Sequence, residues 1–129
     1  MSEFHYARMV RKDGITANDY QRAALRTAPN MHFWFECEED LAALLNGALG
    51  LCGEAGEVAD LIKKAAFQGH ELDEEKVIEE LGDVAWYLAI ASEALGVTLG
   101  EVLQKNVDKL AKRYPEGFDK ASSINREEK

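Results

Sequence analysis

Two short segments, Gly53-Glu54-Ala55-Gly56-Glu57 and Glu80-Leu81-Gly82-Asp83, carry residue types that bind cations and move protons. Each sets two carboxylates three residues apart, which places them on one face of a helix. Spacing alone decides little. Six acidic pairs recur at that interval: Glu36/Glu39, Glu54/Glu57, Glu57/Asp60, Glu71/Glu74, Glu80/Asp83 and Glu116/Asp119. Context separates two of them. Glu54 and Glu57 follow the most apolar stretch of the chain, Leu41-Ala-Ala-Leu-Leu-Asn-Gly-Ala-Leu-Gly-Leu-Cys52. Glu80 and Asp83 sit inside Val77-Ile-Glu-Glu-Leu-Gly-Asp-Val-Ala-Trp-Tyr-Leu-Ala-Ile90. Glycines accompany both pairs, at Gly53, Gly56 and Gly82. Inside a helix each costs about 1 kcal/mol against alanine. The expected return is close approach of a neighbouring backbone or of a ligand.

Carboxylates about 5 Å apart repel by roughly 3 kcal/mol at an effective dielectric of 20. A convergent set therefore keeps a proton or holds a cation. An all-oxygen donor set suits Mg²⁺, with Mn²⁺ as a possible substitute. Iron fits less well, because di-iron bundles use Glu-x-x-His and none of His5, His32 or His70 follows a Glu by three residues. Mg²⁺ on a helical scaffold points to polyphosphate chemistry, in which the metal meets phosphate oxygens and activates water. Basic and polar partners are then expected near the anion. Asn106, Lys109 and Arg113 fall within an arc of about 60° at 100° per residue. That arc borders the apolar stripe Leu99, Val102, Leu103 and Leu110. Lys64 lies two turns beyond Glu57, and Tyr87 one turn beyond Asp83.

Positioning these side chains requires long helices joined by short turns. Thr16 and Asp19 stand at capping-box spacing, so a first helix is expected over 17–27, closed by Pro29 and Asn30. A second is expected over 38–66, with Gly69 and His70 making the turn. Asp73 caps a third, with Glu74 and Glu75 in its first turn, running to about Leu95 before Gly96. Thr98 and Glu101 open a fourth, which ends near Tyr114 before Pro115. The polar tail 116–129 is expected to be mobile, at least at its end. In the hairpin of the second and third helices, Glu57 lies about 13 Å from the turn and Glu80 about 11 Å. Glu54 and Asp83 are one step further, so four carboxylates converge at one level. The fold class is all-α, a bundle of about four helices. Its second helix is apolar nearly all round and needs cover on several sides, so a homodimer or homotetramer is expected to complete it.

The chain has 129 residues, one domain's worth, with 24 acidic and 15 basic residues and a net charge of −9. That balance argues against a general nucleic-acid binder and a polybasic membrane anchor. The charge is uneven. Residues 31–60 carry seven acids and no base, whereas 91–129 balance at seven of each. No apolar run approaches the roughly 20 residues of a membrane span, and no stretch reads as a signal peptide. Cys37 and Cys52 do not make a disulfide framework or complete a zinc site, and two reduced, mostly buried thiols in a cytoplasmic protein are expected. Phe33, Trp34 and Phe35 read as packing or subunit contact, and Trp86 as core.

These residues resemble the MazG-like nucleoside triphosphate pyrophosphohydrolases of the all-α NTP pyrophosphatase superfamily. The resemblance rests on Glu54-x-x-Glu57, a 22-residue linker and Glu80-x-x-Asp83, within Leu49–Lys64, Glu79–Ala89 and Lys105–Pro115. Asn18-Asp-Tyr-Gln21 and Ala24-Leu-Arg-Thr-Ala28 add to it, so that it covers about residues 15–118. It implies dimers or tetramers and Mg²⁺-dependent hydrolysis between the α- and β-phosphates, releasing a nucleoside monophosphate and pyrophosphate. Glu54, Glu57, Glu80 and Asp83 match the family's metal ligands, with Glu54 or Glu57 taking the proton of water. Asn106, Lys109 and Arg113 match its C-terminal substrate-contacting set. Some relatives carry a further Glu where this chain has Gly53, which leaves the number of metals open. Two other readings stand beside this one. The first is a dUTP, dCTP or phosphoribosyl-ATP hydrolase of the same superfamily. The second is a non-catalytic helical module that senses nucleotide or metal.

Overall fold

The computed structural model of the chain describes residues 14–28 and 38–125. The described residues are all-α, with helices α1 (Ala17–Leu25), α2 (Glu39–Phe67), α3 (Glu74–Ala94), α4 (Leu99–Arg113) and α5 (Lys120–Ile124). Two compact units divide after Leu99. Among the described residues no single helix is long and apolar enough to cross a membrane.

Local chemistry fixes the helix ends. The Thr16 hydroxyl accepts the Asp19 N–H (3.2 Å) and donates to the Asp19 carboxylate (2.6 Å), an acidic variant of the capping box. Asp19 in turn pairs with Arg22. The Asp73 carboxylate accepts the Lys76 N–H at 3.1 Å and starts α3. Gly69 and Gly96 close α2 and α3 at φ of +72° and +69°, a left-handed turn that glycine enters without a Cβ penalty. After Gly96, the Val97 N–H reaches back to the Ser92 carbonyl. Helix α1 stops at Leu25, two residues before the expected end, because Arg26 and Thr27 turn back onto the Ala23 and Ala24 carbonyls. The polar tail holds α5, whose cap Asp119 accepts the Ser122 N–H at 2.7 Å.

In the first unit α2 and α3 pack along each other and α1 packs on α3. The buried apolar residues are small: Ala23, Ala24, Ala42 and Ala89, with Ile90 and Leu99. Gln21 is buried with them and fully engaged. Its Nε2 donates to Glu93 (3.0 Å) and to the Val97 carbonyl (3.1 Å), and its Oε1 accepts the Leu99 N–H (2.6 Å). This one amide ties α1 to the far end of α3. The expected burial of α2 is not met within the chain. Leu41 is 57% exposed and Leu49 67%, with Leu45 beside them. Cys52, expected to be buried, is exposed on the same face for the same reason. Cys37 and the aromatic cluster Phe33-Trp34-Phe35 lie outside the described residues.

Candidate active site

The site begins with two missing side chains. A Cβ on Gly47 would lie 3.0 Å from the Ala91 Cβ, and one on Gly50 would overlap the Tyr87 ring at Cε1. Gly50 is therefore a notch filled by the Tyr87 ring. These two contacts set the register of the hairpin. Each step forward along α2 is answered by a similar step back along α3, so Glu54 falls level with Asp83 and Glu57 with Glu80. Around α2, Gly47, Gly50, Glu54 and Glu57 share an arc of about 80°, so the carboxylates face α3 as the notch does. Gly53, Gly56 and Gly82, where close backbone approach was expected, have no neighbour within 4 Å of a built Cβ. The cause is geometric. Glycines recurring every third residue drift about 60° per step around a 3.6-residue helix, so only Gly47 and Gly50 of that series meet α3.

Glu54, Glu80 and Asp83 each offer a carboxylate oxygen within 4.8 Å of the others. Glu54 and Glu80 are half-buried, and Asp83 and Glu57 exposed. Glu57 stands outside this triad, though its charge is felt at Glu80. The Glu80 carboxyl is held above its ordinary 4.5, first by partial loss of water and then by the charges of Glu54 and Asp83. A hydrogen bond with Glu54 and the charge of Glu57 add to the shift. Without a cation, the cluster thus retains a proton at Glu80 more readily than a lone glutamate does.

One turn along α2 the acid is neutralised. Asp60 lies 2.8 Å from Lys63 Nζ and 2.5 Å from Lys64 Nζ, and its carboxyl is pulled down to about 2, chiefly by the hydrogen bonds from these lysines. Lys64, read from the sequence as a substrate contact, is therefore turned to Asp60, which raises its own pKa. An acid at i−4 on the same helix is its nearest partner.

Tyr87 lies in the Gly50 notch with its ring edge-on to Trp86, centroids 5.0 Å apart. Trp86 is half-buried, less enclosed than a core residue, and its Nε1 donates to the Thr27 hydroxyl at 2.8 Å. Asn106, Lys109 and Arg113 belong to α4 in the second unit, where Asn106 and Lys109 are exposed. The Arg113 guanidinium lies 6.0 Å from the Tyr114 ring centroid. Sequence reasoning passed over Gly47 and Gly50. Their signal was present, since they begin the three-residue glycine series that continues at Gly53 and Gly56.

The triad suits a hard divalent cation. Its donors are all carboxylate oxygens from facing helices, and exposure at Asp83 leaves room for water and phosphate oxygens to complete the shell. Oxygens on one Mg²⁺ stand about 3–4 Å apart, so side-chain rotation closes the set.

An all-α hairpin that brings carboxylates from both arms to one point is an arrangement that could hold a divalent cation. The chain belongs to the MazG nucleotide pyrophosphohydrolase domain family, which matches residues 44–118. It is also 38% identical over 82 residues to the "Gene 37 protein" of Mycobacterium phage L5, covering 60% of this chain and 72% of that protein. That name states no activity. No solved structure matches the chain.

Proposed function

We propose that this protein hydrolyses nucleoside triphosphates between the α- and β-phosphates, releasing a nucleoside monophosphate and pyrophosphate. The observation that carries this reading is the convergence of Glu54, Glu80 and Asp83, with the Glu80 carboxyl held up by partial loss of water and by the charges of Glu54 and Asp83. Glu54, Glu80 and Asp83 would hold Mg²⁺, or Mn²⁺ in its place. The ion would supply charge neutralisation of the triphosphate and a lowered pKa for water. Glu57, outside the triad but on the same arc of α2, keeps its oxygens free to accept the proton of the attacking water. Tyr87, whose ring fills the Gly50 notch one turn beyond Asp83, would contact the substrate. Asn106, Lys109 and Arg113 would steady the phosphates and the leaving pyrophosphate, whereas Lys64 serves Asp60.

The protein works as a homodimer or homotetramer in this reading. Leu41, Leu45, Leu49 and Cys52 share the face of α2 opposite its carboxylates, and an apolar face of that size requires cover. Its partners are nucleotides rather than nucleic acid or membrane, its setting is cytoplasmic, and its role is removal of unwanted nucleotides from the pool. The test is incubation with a panel of NTPs and dNTPs, dUTP and dCTP among them, plus Mg²⁺, with products resolved. Monophosphate and pyrophosphate are expected. Release of orthophosphate alone, or full activity in Glu80→Gln, contradicts the proposal.

A further inference from the structure

Helix α1 lies outside the residues that match the family, yet it grips the turn of α3 that bears Asp83. The Tyr20 hydroxyl donates to the Gly82 carbonyl at 3.2 Å. One turn on, Trp86 Nε1 donates to the Thr27 hydroxyl at 2.8 Å, and that hydroxyl donates to the Ala24 carbonyl at 3.0 Å. The two contacts bracket Asp83. A backbone carbonyl has two lone pairs, so Gly82 can serve its helix and Tyr20 together. Gln21 adds a third hold at Glu93.

Around α3 the gripped residues Gly82, Trp86 and Glu93 fall within about 40° of one another. Asp83, Tyr87 and Glu80 fall within about 60°, centred roughly 110° away. Helix α1 therefore holds one side of α3 while the other side faces α2. Side-chain tips lie about 5–6 Å from a helix axis, so a 20° roll of α3 would move a carboxylate by about 2 Å. A cation held at about 2.1 Å by several oxygens does not tolerate that displacement.

We infer that Tyr20 and Thr27 are positioning residues, which fix the roll of α3 so that Glu80 and Asp83 close on the cation with Glu54. The inference rests on the metal-site reading above. It differs from ordinary helix docking in one respect: loss of either contact weakens metal binding beyond any effect on stability.

The test is calorimetric titration of the full chain with Mn²⁺ alone, run beside thermal melts. Wild type should bind and Glu80→Gln should not. Tyr20→Phe and Thr27→Val should each weaken Mn²⁺ about threefold and the double variant about tenfold, as expected for loss of one and two hydrogen bonds. Thr16→Ala removes the cap of the same helix and touches neither contact. It should lower Tm and leave the Mn²⁺ Kd within about twofold, since a lost cap acts on the helix terminus alone. Wild-type Mn²⁺ affinity in the folded double variant overturns the inference and leaves the metal site standing. Equal weakening in Thr16→Ala at matched Tm also overturns it, because docking alone would then account for the effect. Absence of Mn²⁺ binding by wild type overturns the metal-site reading and this inference with it.

Discussion

Asp60 and Glu54 sit less than two turns apart on α2 and belong to acidic groups that behave in opposite ways. Asp60 has Lys63 and Lys64 against it, and its carboxyl falls to about 2. Glu54 faces Glu80 and Asp83 across the hairpin with no lysine or arginine among the influences on Glu80, whose carboxyl is raised. The first group is complete within one helix. The second takes two helices to assemble, and in the proposed function a cation neutralises it. Acid density along the chain does not distinguish them, since Glu54 and Asp60 both count among the seven acids of residues 31–60, a stretch without a base. What distinguishes them is where the compensating charge comes from: neighbours at i+3 and i+4 in one case and, in the proposed function, a bound cation in the other.

Mutation should separate the two most sharply in turnover. Glu80→Gln is expected to reduce kcat/KM at least about 100-fold with little loss of apo stability, as for removal of a metal ligand. Asp60→Asn should leave kcat/KM within about threefold, as surface ion pairs contribute little. Steady-state kinetics on both variants checks this, and equal losses would erase the distinction. Next in size is Gly50→Ala. The added methyl meets the Tyr87 ring, and overpacking of this kind destabilises by about 1–3 kcal/mol. Denaturant unfolding should show that loss, and Tyr87→Ala in the same chain should recover part of it.

The pH dependence of apo stability is smaller and runs in two directions. Glu80 has a folded-state pKa above its ordinary 4.5, so its contribution is complete below 4.5 and lost as pH rises through the raised value. Asp60 has a folded-state pKa below its ordinary 3.8. Its contribution is present above 3.8 and lost as pH falls through about 2. Thermal melts across pH should show both limbs. Saturating Mg²⁺ should flatten the Glu80 limb and leave the Asp60 limb in place. The smallest effect is on Tm at neutral pH, where Asp60→Asn should cost less than about 2 °C.

Much of this was legible before any coordinates. Thr16, Asp73, Gly69 and Gly96 announced the helix ends because caps and left-handed turns are local chemistry. Rise per residue brought the carboxylate pairs to one level. It did not give the roll of each helix, and roll decides that Glu54 joins Glu80 and Asp83 while Glu57 stands aside. The Gly50 notch was not read because a glycine reports an approach only when its partner is known, and Tyr87 is 37 positions away. The hold of Tyr20 on Gly82 spans 62 positions and leaves no local pattern. The pairing of Lys64 with Asp60 at i−4 went unread because Lys64 was placed only by its distance from Glu57 along the face.

The claim that the unneutralised group exists to hold a cation can be tested by locating the cation. Crystals grown with Mn²⁺ and measured at its absorption edge should show an anomalous peak bounded by Glu54, Glu80 and Asp83, and no peak at Asp60. A peak at Asp60, or none among the three carboxylates at saturating Mn²⁺, would contradict the account.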